Sequence, residues 1–121
     1  MMGRLAMLFD ADAVAKVHAS AFNAHDMQTL LNHYATTARV LRDGRLVGEG
    51  RDAVQRQVEA EYHPGGYVQV RHLDGEPVLA ECHGNPEHPD IDAIIRLHHT
   101  GAFLDEVRID HDPALMARLQ D

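Results

Sequence analysis

The residues best suited to metal chemistry lie in the second half of the chain. Cys82, His83 and His88 are close together in the sequence, and His98 and His99 follow. Thiolate and imidazole are preferred zinc ligands, but neighbouring residues of a strand point to opposite faces, so neither adjacent pair can easily share one ion. His83 and His88 span a loop and form a conceivable surface pair. The spacing favours exposed loop histidines, and we predict no metal site and no cofactor.

Two further groups have side chains suited to acid–base chemistry. The first is Glu59-Ala60-Glu61, which falls within a helical pattern and is interpreted as a solvated helix face, not as a catalytic carboxylate pair. The second is the segment 91–99, in which polar and apolar residues alternate.

The two faces of segment 91–99 differ in character. One face of the predicted strand is apolar and carries Ile91, Ala93, Ile95 and Leu97. The opposite face carries Asp92, Ile94, Arg96 and His98. Simple half-burial would expose this second face to solvent, but alternation alone does not decide which face is inside.

The elements that position these residues belong to a chain of 121 residues, a length typical of one domain. The formal net charge of −8 repels phosphate backbones and anionic membranes, so we expect neither nucleic acid nor a membrane as a partner. Cys82 is the single cysteine and is predicted to be a buried packing residue. The absence of a disulfide within the chain suits the cytoplasm, where we expect the protein to be located.

Residues 1–9 are interpreted as a flexible lead-in. The apolar stretch is ended by Asp10 and Asp12, and it is too short for a membrane span and a poor secretory signal. Residues 10–121 are predicted to form a single domain.

Three helices are predicted in the first half of the chain. Between Asp10 and His25 apolar residues recur at steps of three and four, which indicates a helix with one buried stripe. Asp26 can cap a second, shorter helix whose apolar positions extend to Tyr34. A third helix is predicted over residues 51–62 and is stopped by His63-Pro64-Gly65-Gly66.

Short extended runs predict the strands. Asp43-Gly44 indicates a hairpin between residues 39–42 and 45–47. An antiparallel meander and a terminal helical turn follow, over residues 67–73, 77–83, 91–99, 102–111 and 113–119. Segregated helices and strands predict an α+β fold with the helices on one face of a curved sheet.

Several phrases, taken in order, resemble the nuclear transport factor 2-like superfamily, which includes ketosteroid isomerase and the SnoaL-like polyketide cyclases. They are Ala21-Phe22-Asn23-Ala24-His25-Asp26, Tyr34-Ala35-Thr36-Thr37-Ala38, the third-helix start GEGRDAV, and Glu106-Val107-Arg108-Ile109. The resemblance covers nearly the whole chain. It implies a cone-shaped α+β barrel, with three N-terminal helices packed on a curved, mainly antiparallel sheet, and a homodimer formed through the sheet face.

The resemblance also implies roles for three polar residues. Ungapped registration on Asn23-Ala24-His25-Asp26 places His18 at the isomerase's helical tyrosine and Arg42 at its catalytic base. The segment Pro89-Asp90-Ile91-Asp92 resembles the phrase around the isomerase's oxyanion-binding aspartate, which makes Asp92 the corresponding residue. A guanidinium stays protonated, so Arg42 cannot be that base and ketosteroid isomerase chemistry is disfavoured. Asp92 would act as general acid or base, with His18 as proton donor or relay. Alternatively, Arg42 and Asp92 pair with each other across the cavity, or both face solvent.

The same analogy turns the charged face of segment 91–99 toward a pocket. The implied ligand-binding residues are Arg42, Arg96, His98, Val40 and Ile94. Arginine binds planar anions well, which suits a small ligand with a carboxylate or phenolate. The expected function is that of a SnoaL-like small-molecule pocket protein, which as an enzyme would be a cofactor-independent isomerase, cyclase, dehydratase or hydrolase. The alternative is a non-catalytic binding or dimerisation module whose pocket is closed by its own side chains.

Overall fold

The computed structural model describes residues 10–119, so the predicted lead-in of residues 1–9 lies outside the described part of the chain. Helix α1 (Ala11–Asn23) begins after Asp10, whose carboxylate accepts the backbone N–H of Asp12. Helix α2 (Met27–Asn32) begins in the same way, because Asp26 accepts the backbone N–H of Thr29. The Asp26 cap is as predicted.

The boundary after α2 differs from the prediction. Strand β1 (Tyr34–Arg42) begins at Tyr34, which the apolar spacing places in the helix. The tertiary structure overrides that spacing, because Tyr34 pairs with Leu104 of a distant strand and the N–H of Leu104 donates to the carbonyl of His33 at 2.7 Å. Tyr34 is completely buried in this position.

The predicted Asp43-Gly44 hairpin is confirmed. Asp43 and Gly44 have φ values of 49° and 83°, the left-handed pair typical of a tight two-residue turn, and strand β2 (Arg45–Glu49) follows. Helix α3 (Arg51–Glu61) then packs across the hairpin. Its first residue donates from two guanidinium nitrogens to the carbonyl of Tyr34, at 3.0 and 2.8 Å, which ties the start of α3 to the start of β1.

The remaining elements are β3 (Gly66–Leu73), β4 (Glu76–His83), β5 (Asp90–Thr100), β6 (Phe103–Asp110) and α4 (Pro113–Leu119). The six strands form one sheet in the order β2-β1-β6-β5-β4-β3, and all neighbours are antiparallel except β1 and β6. The predicted α+β class with a curved, mainly antiparallel sheet is confirmed. The sheet is open at β2 and β3, so it does not close into a barrel.

The three N-terminal helices pack together on one face of the sheet, as expected, and the short terminal helix α4 packs on the other face. Helices α1, α2 and α3 cover what we call the inner face, and its buried residues include Val40, Val68, Leu79, Ala93, Ile95, Val107 and Ile109. The outer face carries a smaller cluster under α4, formed by Leu73, Val78, Ala80, Cys82, Ile91, Ile94 and Leu119. Cys82 is fully buried there, as predicted. Between residues 10 and 119 no helix is long and apolar enough to cross a membrane.

Candidate functional site

Among the described residues, one histidine and two glutamate side chains are buried together with the core. They are His18 on α1, Glu61 on α3 and Glu81 on β4. Charged forms of such groups are costly away from water unless partners compensate, so these positions are where protonation is most strongly perturbed.

His18 forms a buried pair with Tyr34. Its Nε2 lies 2.8 Å from the Tyr34 hydroxyl, and the two rings meet edge to face with centroids 5.7 Å apart. Burial, helped by the charge of His33, lowers the pKa of His18 to about 4, so the imidazole is neutral at physiological pH. Burial and the negative charge of Glu61 raise the pKa of the Tyr34 hydroxyl well above its usual value, so it remains a hydrogen-bond donor.

Glu61 is a buried carboxyl group with a strongly raised pKa. It extends the stripe of Val54 and Val58, so the helix that buries these valines also turns Glu61 inward. Gln57 donates to its Oε1 at 3.3 Å. Burial first and the charge of Glu81 second raise its pKa to about 8. The prediction of a solvated face over Glu59-Ala60-Glu61 is therefore wrong at Glu61, which is 8% exposed.

Glu81 interacts electrostatically both with Glu61 and with Asp92 near the start of β5. It stands opposite Ala93 on β5, and its pKa is raised by burial and by the charge of Asp92. The positive charges of His63, His111 and Arg42 oppose that rise, and Arg42 also lowers the pKa of Glu61. We call Arg42, Glu61, Glu81 and Asp92 the polar end.

Asp92 lies at an irregularity of the sheet. Cys82 pairs with Ile91 and Glu81 pairs with Ala93, so Asp92 is the extra residue between two regular pairs, as in a bulge. Its Oδ2 is 2.7 Å from His83 Nδ1, and this hydrogen bond raises the pKa of His83. The carboxylate is 39% exposed, so a ligand or water can reach it.

Comparison with known proteins identifies the architecture. No family model matches the sequence, and no curated protein is significantly similar to it. A candidate ketosteroid isomerase from Kribbella flavida DSM 17836 is 13% identical with a TM-score of 0.62, and the match covers 83% of this chain and 76% of that chain. The chain has the nuclear transport factor 2-like fold.

Two other solved structures agree. A candidate polyketide cyclase from Sinorhizobium meliloti is 16% identical with a TM-score of 0.58, covering 77% of this chain and 89% of that one. An NTF-2 like protein of unknown function from Burkholderia xenovorans LB400 is 14% identical with a TM-score of 0.56, covering 80% of each. At these identities the likeness concerns the fold alone.

The nuclear transport factor 2-like fold brings together only some of the predicted site residues. Arg42 and Asp92 both act on the pKa of Glu81, and Val40 lies fully buried on the inner face. His18 reaches the same region indirectly, through Tyr34 and the effect of Glu61 on that hydroxyl. In the alternative interpretation Arg42 and Asp92 pair with each other, but the hydrogen-bond partner of Asp92 is His83.

The predicted orientation of segment 91–99 is wrong beyond Asp92. Ala93, Ile95 and Leu97 pack into the inner core, because the helices bury more apolar surface there than the outer face can. Ile94 belongs to the outer cluster, Arg96 is exposed, and His98 is exposed with its Nδ1 2.5 Å from Asp105. Ala93, Ile95 and Leu97, which were expected to form a dimer interface, are therefore part of the core. The argument for a dimer through this apolar face no longer holds.

A groove of about 320 Å³ opens away from the polar end, between the start of α1 and strands β4 and β5. Its lining is mostly apolar and includes Val14, Leu79, Ile95, Leu97, Glu76 and His98, the last of which is one of the predicted ligand-binding residues. Residues 10–119 contain no group of three or more His, Cys, Asp or Glu side chains arranged to hold a metal ion. Glu61 and Glu81, whose pKa values are raised, do not line this groove.

Proposed function

We propose that the protein binds a small organic molecule at the polar end and performs cofactor-independent acid–base chemistry on it, as a SnoaL-like isomerase, cyclase, dehydratase or hydrolase. The observation that carries the proposal is the buried Glu61 carboxyl group. With a pKa of about 8 it holds a proton at neutral pH and releases it within reach of that pH, which is the property of an efficient proton donor and acceptor. We expect this activity in the cytoplasm.

The other groups would have complementary roles. Asp92 is the second carboxylate and would take up a proton while Glu61 gives one. Arg42 would orient a carbonyl or carboxylate group of the ligand, because its guanidinium offers several donors in one plane. The neutral His18 would fix the Tyr34 hydroxyl as a hydrogen-bond donor beside Glu61. Arg42 remains the reason to disfavour ketosteroid isomerisation.

The proposal is tested by following proton exchange directly. Small ketones and keto acids in deuterated buffer are incubated with the protein, and NMR measures the replacement of their α-protons by deuterium. We expect exchange above the buffer rate, and its loss in Glu61→Gln. Glu59→Gln is the matched control, since Glu59 is an exposed carboxylate on the same helix. Equal exchange in the two variants, or none in the wild type across the panel, would refute proton transfer by Glu61 at a carbon next to a carbonyl group.

One observation favours the non-catalytic alternative. Phe22, Leu30 and Tyr34 are 0–3% exposed, and Tyr62 packs against Phe22 and stacks on His25 with centroids 4.9 and 4.1 Å apart. An interior filled by its own side chains suits a binding or dimerisation module. Amide chemical shifts separate the two functions: ligand-induced shifts at the polar end without proton exchange would indicate binding alone.

A further inference from the structure

The two edges of the sheet differ in how their outward backbone groups are satisfied. At the β3 edge, Asn23 Oδ1 accepts the N–H of Val68 at 2.8 Å and Asn23 Nδ2 donates to the Val68 carbonyl at 2.9 Å. The side-chain amide thus occupies the place of a neighbouring strand. An edge covered in this way does not accept another strand at that point.

The β2 edge lacks a comparable cover in the described residues. β2 pairs with β1 on one side, and α3 covers its inner side where Ala53 packs against Gly48. Leu46 and Val47 remain 49% and 54% exposed. The strand contains neither lysine nor proline, two residues that edges use to prevent pairing, so its protection is limited to its short length, its charged ends and a bulge. A short apolar segment is therefore presented along an open edge.

The opposite charges at the two ends of β2 favour pairing with a second copy of the same strand. The strand begins with Arg45 and ends with Glu49, both exposed, and its middle is apolar. When two copies of this strand run antiparallel about a two-fold axis near Val47, Arg45 of each copy lies beside Glu49 of the other. A parallel arrangement would place like charges together. We propose that β2 is a dimerisation edge at which two copies of this chain join their sheets antiparallel.

The register of β2 sets the strength expected of this dimer. Leu41 pairs with Leu46 and Val40 with Gly48, so Val47 is an extra residue in β2. A bulge interrupts the regular ladder and leaves few shared backbone bonds. The remaining stability of the dimer must come from the apolar contact of Leu46 and Val47 and from the two Arg45–Glu49 pairs. The dimer is therefore weak and concentration-dependent. This inference does not depend on the proposed function.

Charge reversal tests the proposal because the two ends are self-complementary. Sedimentation equilibrium from micromolar to millimolar protein should show the wild type moving from one to two chain masses. Arg45→Glu and Glu49→Arg should each shift dimerisation at least about tenfold higher in concentration, the equivalent of about 1.4 kcal/mol. The double variant should restore it, because opposite charges again face each other.

Apolar substitutions provide the matched comparison. Val47→Lys should abolish the dimer, whereas Val17→Lys and Phe103→Lys, at two exposed apolar residues outside β2, should leave it unchanged. Circular dichroism checks that each variant is folded. The proposal is overturned by a wild type that stays monomeric, by a double variant no better than the single reversals, or by equal loss of dimer in Val47→Lys and the two control variants.

Discussion

The two faces of this sheet hold their charged groups in different surroundings. On the inner face, Glu81 stands in the same strand as the fully buried Leu79, and Glu61 approaches it from α3. On the outer face, Glu106 meets Arg39 at 3.6 Å and Arg108 at 2.8 Å, and both arginines are half exposed. The inner glutamates are buried and their pKa values are raised, whereas the outer arginines remain half exposed, where ion pairs contribute little to stability. Acid–base chemistry is therefore to be sought on the inner face.

The largest difference between the faces should appear in packing. Leu79→Ala removes a fully buried side chain from the inner core and should lower the free energy of unfolding by about 4 kcal/mol. Leu115→Ala, which truncates a partly buried side chain of α4 packed against the outer cluster, should cost about 1 kcal/mol. Urea denaturation measures both. Equal losses would contradict a dominant inner core.

Glu61 should make the inner face sensitive to alkali. Its folded pKa of about 8 exceeds the ordinary value of 4.5, so its contribution is fully present below pH 4.5 and is lost as the pH rises through about 8. We expect a loss of roughly 3 kcal/mol, since relaxation absorbs part of the shift. Glu61→Gln should remove this slope in pH-dependent denaturation, while Glu59→Gln should retain it.

His18 should produce the opposite slope in acid. Its folded pKa of about 4 lies below the ordinary 6.5, so its contribution is present above pH 6.5 and is lost as the pH falls through about 4. The loss should be about 2 kcal/mol. His18→Asn should flatten the acid limb of the stability profile, and His72→Asn, at an exposed histidine, should not. If the acid limb is unchanged in His18→Asn, groups other than His18 cause the loss of stability in acid.

The outer face should give the smallest effect. Glu106→Gln removes the shared partner of Arg39 and Arg108, and it should change the free energy of unfolding by about 0.5 kcal/mol at low salt and by less at high salt. A larger, salt-independent loss would show that this pair behaves like the inner groups.

Local chemistry explains which features were predictable. Asp43-Gly44 specifies its turn through two left-handed residues, and Asp10 and Asp26 specify helix starts through their own side chains. These signals need no distant partner. The Tyr34 boundary and the Asp92 bulge, in contrast, depend on strands far away in the sequence, so periodicity alone assigns them incorrectly.

Glu61 is an intermediate case. Its spacing from Val54 and Val58 already indicates the buried stripe of the helix, and this signal would have identified it as an inward carboxyl group. What no spacing reveals is that Glu81 approaches from another element and raises its pKa. The candidate site is therefore less predictable than the elements that build it.

The parallel pairing of β1 with β6 also governs how the molecule assembles. The hairpins β1–β2, β3–β4 and β5–β6 join residues close in sequence and can form early. The sheet becomes continuous only when Tyr34 meets Leu104, which requires the closure of one long loop. Folding should therefore be limited by the late pairing of β1 with β6. The hydrogen bonds from the Arg51 side chain to the Tyr34 carbonyl hold the start of β1 in position for this step.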